Sequence, residues 1–308
     1  MIHIYYHRGD LDGIGSAALL YYFLNVYFPK TNGIDVGEQN YIGVEYGEKE
    51  HDFSHIKPGD VVYVIDFTFE PIEYMHTLNE ISSPLIWVDH HKSSIIEVNK
   101  FPKGTFKGIM GDLNNSKSVI KLLWEYLFPY TTNVPEVINY ISLFDTWKHE
   151  YKDEIFNFYF GLETYSNMKY DSPIWQILFE QYLTEDNKNV ASYHINQIKE
   201  IGSKIRKYIQ INNRKYAYEH CYEIQFEGLN TLIMNNGNPG SMKFADLYDP
   251  KKHQLILSYA RKKGYWKISI YSDANGVDCS EIAKKYGGGG HKGAAGFEIH
   301  GLELPFEI

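Results

Sequence analysis

The stretch WVDHHKSS, residues 87–94, sets Asp89, His90 and His91 directly behind an apolar run. Two other apolar runs end in similar chemistry. IHIYY (2–6) leads into His7, with Asp10 and Asp12 close behind in RGDLDG, and VVYVID (61–66) closes on Asp66. Taken singly, each feature has a plain explanation. An Asp after a strand is commonly a turn or cap, a His pair commonly sits on the surface, and Asp10 and Asp12 could favour the positive end of a following helix. Three strand ends repeating the pattern point elsewhere. In an open parallel sheet, ligands bind outside the carboxyl ends of the strands, so these groups would converge on one crevice. Carboxylates gathered there repel one another, and burial makes the repulsion worse. A cation resolves the conflict. Mixed carboxylate and imidazole donors suit Mn²⁺, with Mg²⁺, Co²⁺, Fe²⁺ or Zn²⁺ as alternatives. The donors are too many for one metal that keeps an open position, and two metals fit better.

The elements that must position these groups alternate between strand and helix. After the strand at 2–6, SAALLYYFLNVYF (16–28) reads as a helix with Ser16 near its start. NYIGVEY (40–46) is a second strand, and Pro58-Gly59-Asp60 a turn. VVYVID is apolar throughout, as suits a strand buried on both faces. Residues 71–81 read as a helix, PLIWVD (84–89) as a strand, and 116–128 and 135–147 as helices, the last with Pro135 at its first position. The alternation predicts an α/β domain with a mostly parallel sheet. Ala191, Ile195, Ile198, Gly202, Ile205 and Ile209 form one helical stripe, which predicts a long connecting helix. Beyond it lie strand-like CYEIQF and NTLIMNN, a helix around MKFADLY (242–248), strands QLILSYAR and YWKISIYS, a helix DCSEIAKKY, and GGGGHKGAAGFEI (287–299). The expected organisation is a domain at 1–186, a connecting helix at 187–215 and a smaller α/β domain at 216–308.

Composition narrows the function classes. The chain has 308 residues, 44% of them hydrophobic, and a formal net charge of −9. That balance disfavours processive work on long DNA, which needs a basic stripe, but leaves room for a short anionic substrate. The two cysteines, Cys221 and Cys279, lack metal-site spacing and suit a reducing compartment. The N-terminus lacks a signal-peptide pattern, and the longest apolar run is too short to span a bilayer. A soluble, cytoplasmic protein is expected.

HRGDLDGIGSAAL, VIDFTF, WVDHHKSS and FDTWK, in that order, resemble the four motifs of the DHH phosphoesterase family. GGGGHKGAAGF resembles the signature of the DHH-associated domain found in RecJ-type exonucleases, nanoRNases and exopolyphosphatase-like proteins. The likeness spans nearly the whole chain. It implies that His7 and Asp10 bind one metal, that Asp12, His90 and Asp145 bind the other, and that Asp66 bridges both. Asp145 enters only through this resemblance, since a helix could end in Asp for other reasons. His91 would face the substrate phosphate and Asp89 would orient the histidines. His291 with Gly288, Gly289 and Gly290 would form a phosphate site, and glycine amides with no side chains in the way suit that task. Many relatives carry Arg where this chain has Tyr271. Arg261 or Lys262 could supply the charge, or Tyr271 could stack on a base.

The resemblance implies a phosphoesterase using two divalent cations, Mn²⁺ first, with Mg²⁺ or Co²⁺ as alternatives. The expected substrate is a short oligonucleotide or linear dinucleotide, cleaved to mononucleotides. The alternatives are a phosphoanhydride hydrolase acting on polyphosphate or pyrophosphate, and a non-catalytic nucleotide-binding protein. The scattered lysines of KIRK (204–207) and KKGYWK (262–267) do not make the long groove that polyphosphate needs. The intact motif set disfavours a sensor. No separate nucleic-acid-binding module stands out, and a homodimer through the connecting helix or a sheet edge is conceivable.

Overall fold

The computed structural model describes residues 1–46, 51–110, 116–146, 152–165, 169–237, 240–244, 247–290, 292–304 and 306. The first half builds a sheet from β1 (Ile2–His7), β2 (Gln39–Val44), β3 (Val61–Ile65), β4 (Leu85–Asp89) and β5 (Lys107–Met110). All pair in parallel, in the order β2-β1-β3-β4-β5. The chain goes from β1 to β2 on one side, then returns to β3 on the other. This places a topological switch point at the carboxyl ends of β1 and β3, where such sheets bind ligands.

The central strands are apolar on both faces because both faces are covered. Ile4, Tyr63, Ile65 and Val88 join one core with α1 (Leu11–Tyr22) and other helices. Tyr5, Val62, Val64 and Trp87 alternate onto the opposite face. α1 continues through a π-helical turn, Phe23–Tyr27, into α2 (Phe28–Asn32). α3 (Glu73–Ile81) follows β3 and sets Met75 and Leu78 into the second core. α4 (Lys92–Val98) follows β4. The first core is completed by α5 (Val119–Leu127), α6 (Glu136–Asp145), α7 (Lys152–Glu163) and α8 (Pro173–Phe179).

The first helix starts earlier than its sequence suggests. It begins at Leu11, and Ser16 is buried inside it. Asp10 is the cap, accepting from the Gly13 amide at 3.0 Å, because its carboxylate reaches the third amide of the helix without strain. Gly13 lies so close to β1 that an added Cβ would sit 2.1 Å from the His7 carbonyl oxygen. The acidic stretch is thereby drawn against the strand end.

A long helix, α9 (Glu185–His220), follows. Its Ala191, Ile195 and Ile198 are buried. An added Cβ on Gly202 would lie 1.7 Å from the Asn157 carbonyl oxygen, so α9 and α7 cross backbone to backbone. The chain divides into two compact units, Met1–Arg206 and Lys207–Ile308, with the division inside α9.

The second unit is smaller and carries a mixed sheet. Its strands are β6 (Cys221–Phe226), β7 (Leu229–Asn235), β8 (Leu255–Arg261), β9 (Tyr265–Tyr271), β10 (Gly289–Gly290) and β11 (Ala294–His300), in the order β10-β11-β9-β8-β7-β6. Only β7 and β8 pair in parallel. α10 (Cys279–Lys285) packs Cys279, Ile282 and Ala283 onto this sheet, and Asp278 caps it. The helix expected around MKFADLY is instead a single 3₁₀ turn, Ser241–Phe244, with 245 and 246 outside the described residues.

Candidate metal centre

Four parallel strands deliver polar groups to one end of the first sheet. β1 ends in His7, and β2 is followed by Glu45. β3 is followed by Asp66, and β4 ends in Asp89 with His90 and His91 next. Asp12 comes from the first turn of α1 and Asp145 from the last residue of α6. All the residues expected to bind metal are thus brought together.

They fall into three-donor sets whose ligand atoms lie within 4.8 Å of one another. One set is His7, Asp10 and Asp66. Another is Asp12, His90 and Asp145. A third joins Asp66 to His90 and His91. His7 Nδ1 is 3.1 Å from Asp10 Oδ2 and 3.5 Å from Asp66 Oδ2. His90 Nε2 is 3.2 Å from Asp145 Oδ2, 3.7 Å from Asp66 Oδ1 and 3.9 Å from Asp12 Oδ2. Asp66 therefore stands between the two histidines.

The electrostatics show what this arrangement lacks. Burial pushes the Asp66 carboxyl well above the ordinary range, and neighbouring Asp12 pushes it further. Burial likewise raises Asp145, helped by Asp12 and Asp66. Burial opposes a charge on His7, but Asp10 and Asp66 outweigh it and lift the imidazole to about 11. The carboxylates thus draw a proton onto His7 for want of other positive charge. A divalent cation would replace that proton, since metals and protons compete for the same donors. Asp66 Oδ1 and Asp145 Oδ2 are buried with no hydrogen-bond partner among the described residues. Buried oxygens in that state are expensive unless something coordinates them. Orphaned acceptors, a surplus of carboxylates and mixed oxygen and nitrogen donors fit divalent cations. Asp66 is also held at φ +55°, a left-handed conformation that costs a non-glycine residue about 1 kcal/mol or more.

The supporting groups are as ordered as the donors. Asp89 is fully buried. Its Oδ1 accepts from the His90 amide at 2.7 Å, the His91 amide at 3.0 Å and His91 Nδ1 at 2.7 Å. Its Oδ2 accepts from Thr68 Oγ1 at 2.7 Å. Burial would raise its pKa, but the His91 contacts and the other donors hold it down to about 2. His91 is the more exposed of the pair, and its pKa is raised by Asp89 against the effect of burial. Asp12 accepts from the Val119 amide at 2.7 Å and the Ile120 amide at 3.0 Å, so it also caps α5.

Sequence reasoning missed four residues here. Glu45 Oε1 lies 3.1 Å from His7 Nε2. The Tyr46 ring is 5.1 Å from that of His7 and 5.9 Å from that of His91. Thr68 and Ser94 share a hydrogen bond of 2.6 Å behind Asp89. Glu45 follows a strand just as Asp66 does, and the same rule would have found it.

The substrate-binding residues expected in the second unit are less uniform. Gly287 is left-handed at φ +76°. Its amide donates to Lys284 O at 3.1 Å, while the Gly288 amide donates to Ala283 O at 2.9 Å. These bonds terminate α10, so the Gly288 amide is engaged rather than open to a phosphate. Gly289 and Gly290 form the exposed edge strand β10 against Gly296 and Ala295. His291 lies outside the described residues, as does Trp147 of the FDTWK motif. Arg261 pairs with Trp266 and Tyr271 with Ile256, at opposite ends of the β8/β9 hairpin. The Arg261 guanidinium covers the Trp266 ring and donates to the Gly301 carbonyl. It therefore cannot stand in for an arginine at position 271.

Residues 1–121 match the model of the DHH family N-terminal domain, and residues 231–305 match that of the DHHA1 domain. An uncharacterised protein of Acanthamoeba polyphaga mimivirus is 26% identical over 99% of this chain and 69% of its own length. The oligoribonuclease NrnB of Bacillus subtilis is 24% identical over 97% of this chain and 73% of its own. The crystal structure of an exopolyphosphatase-related protein from Bacteroides fragilis superposes with a TM-score of 0.55 at 16% identity, covering 98% of this chain and 87% of that one. This last likeness is one of fold.

Proposed function

The chain belongs to the DHH phosphoesterase family, and on that premise we propose that it is a two-metal phosphodiesterase. Its substrates are short oligonucleotides or linear dinucleotides, which it hydrolyses to mononucleotides. The observation that carries this reading is the pair of donor sets, His7–Asp10–Asp66 and Asp12–His90–Asp145, with Asp66 beside both histidines. The oligoribonuclease relative supports the substrate class.

In this reading each donor set holds one divalent cation, Mn²⁺ first, with Mg²⁺ or Co²⁺ as alternatives. Such cations, when bound, supply a nucleophilic water of lowered pKa and neutralise phosphoryl oxygens. The protein's own part is positional. Asp66 belongs to the first set and lies beside His90 of the second. Asp89 locks the backbone that carries His90 and His91, and binds His91 Nδ1. That leaves His91 Nε2 to donate to a phosphoryl oxygen or the leaving oxygen. In the C-terminal unit we assign Gly289, Gly290, Tyr271 and His291 to contact with substrate. Cytoplasmic action fits the two free cysteines. No helix among the described residues is long and apolar enough to cross a membrane.

The test is to incubate the protein with Mn²⁺ and a panel of short RNAs, a linear dinucleotide, pyrophosphate and polyphosphate, with a chelator control. Chelator-sensitive release of mononucleotides is expected. Orthophosphate release from the anhydrides alone would replace the proposal with a phosphoanhydride hydrolase.

A further inference from the structure

The C-terminal half of α9 carries a face that the metal chemistry does not use. From residue 204 to 218 the sequence KIRKYIQINNRKYAY holds five Lys or Arg and no Asp or Glu, in a chain of net charge −9. Lys204, Lys207, Tyr208, Ile211, Arg214, Lys215 and Tyr218 recur three or four residues apart. At 3.6 residues per turn they fall within about one third of the helix circumference. All seven are exposed. Tyr208 and Tyr218 are 68% and 63% accessible, and Ile211 is 48%, so the aromatic rings lie open among the cations. On the other side of the helix, Gly202 and Ala217 are buried. Arg206 turns off the stripe to pair with Asp153 at 2.8 Å, and Lys204 pairs with Glu200 at 2.7 Å. Lys207 and Lys215 have no carboxylate within ion-pair distance among the described residues.

We propose that this face of α9 binds single-stranded nucleic acid, with Lys207 and Lys215 along the phosphates and Tyr208 and Tyr218 stacking on bases. Interleaved cations and open aromatic rings are the recurrent means of holding a single strand without reading its sequence. From Lys207 to Tyr218 the stripe runs about 17 Å at roughly 1.5 Å per residue, enough to follow a few nucleotides. The charge favours this occupant over a second copy of the chain, because two such faces laid together would oppose cation to cation. The proposal is independent of hydrolysis at the metal centre.

The experiment uses the full chain in chelator, so that no turnover occurs, and a 5′-labelled oligouridylate of about twelve nucleotides. Anisotropy is followed from low to moderate salt. Two phosphate contacts predict a slope of log affinity against log salt of about −1.4. Lys207→Ser with Lys215→Ser should remove most of that slope. Tyr208→Ser with Tyr218→Ser should weaken binding about tenfold or more, and the paired Phe variants should restore it. Unchanged thermal melts would confirm that these surface variants fold. Equal affinity in parent and variants would overturn the proposal. So would a dimer that Ile211→Glu dissociates while oligonucleotide affinity holds, since a second copy would then occupy the face.

Discussion

The Asp89 carboxylate binds the His91 imidazole through Nδ1 at 2.7 Å and, with the same oxygen, the backbone amides of His90 and His91. One buried oxygen therefore sets the ring orientation of one histidine and the chain path of both. Thr68 holds the other oxygen and is itself braced by Ser94. The doublet is oriented from behind before any cation or substrate arrives.

Asp89→Asn keeps the shape but replaces one acceptor oxygen with a donor and removes the charge that His91 faces. Activity should fall roughly 10–100-fold, as removal of supporting groups at metal sites commonly does. The loss should appear in kcat, with the Mn²⁺ occupancy measured by calorimetry largely kept. Loss of both metals together would instead show that Asp89 is itself a donor.

Asp66→Asn should separate stability from function. The parent keeps a buried carboxyl among other carboxylates in a left-handed conformation, and Asn tolerates that conformation well. Without metal, the variant should melt at or above the parent temperature, because a buried repulsion is removed. Added Mn²⁺ should raise the melting temperature of the parent and not of the variant. Activity should be lost. A parent-like Mn²⁺ shift in the variant would remove Asp66 from the metal centre.

The sequence made the strand ends legible because β1, β3 and β4 are buried on both faces, so polar groups just beyond them stand out. Glu45 stands just beyond β2 and obeys the same rule, but β2 reads as an ordinary strand from sequence. Thr68 and Ser94 carry no comparable signal. Their contacts with Asp89 and each other depend on how the segment after β3 meets α4 after folding. The two glycines and two acids of RGDLDG have the composition of a turn, while in the fold Asp10 caps α1 and Gly13 approaches β1. The glycine run has the composition of a phosphate cradle. Part of it ends α10 and part pairs with β11, uses that depend on neighbouring elements more than on composition.

Gly202→Ala should be among the more destabilising single-methyl additions in the chain. The new Cβ would fall 1.7 Å from the Asn157 carbonyl oxygen, and backbone cannot turn aside as a side chain can. Helix propensity favours Ala by about 1 kcal/mol, whereas overpacking costs about 1–3 kcal/mol or more, so the net effect is destabilisation. Denaturant unfolding would measure it. A more stable variant would mean that α7 and α9 separate readily at this crossing.

Arg261 and Tyr271 test which end of the β8/β9 hairpin meets substrate. Their pairing partners, Trp266 and Ile256, set them five residues apart along neighbouring strands, or about 17 Å. One substrate phosphate therefore cannot use them interchangeably. Arg261 already covers Trp266 and bonds Gly301, so Arg261→Ala should lower stability modestly and leave KM unchanged. Tyr271 lies beside Ala294 on β11, toward the β10 glycines. Tyr271→Ala should raise KM about tenfold for a dinucleotide, the scale of one lost base stack, with kcat little changed. Tyr271→Phe should keep the stack and the parent KM. A raised KM for Arg261→Ala with a normal one for Tyr271→Ala would move the substrate contact to the hairpin turn. Equal KM for all variants would remove both residues from substrate binding.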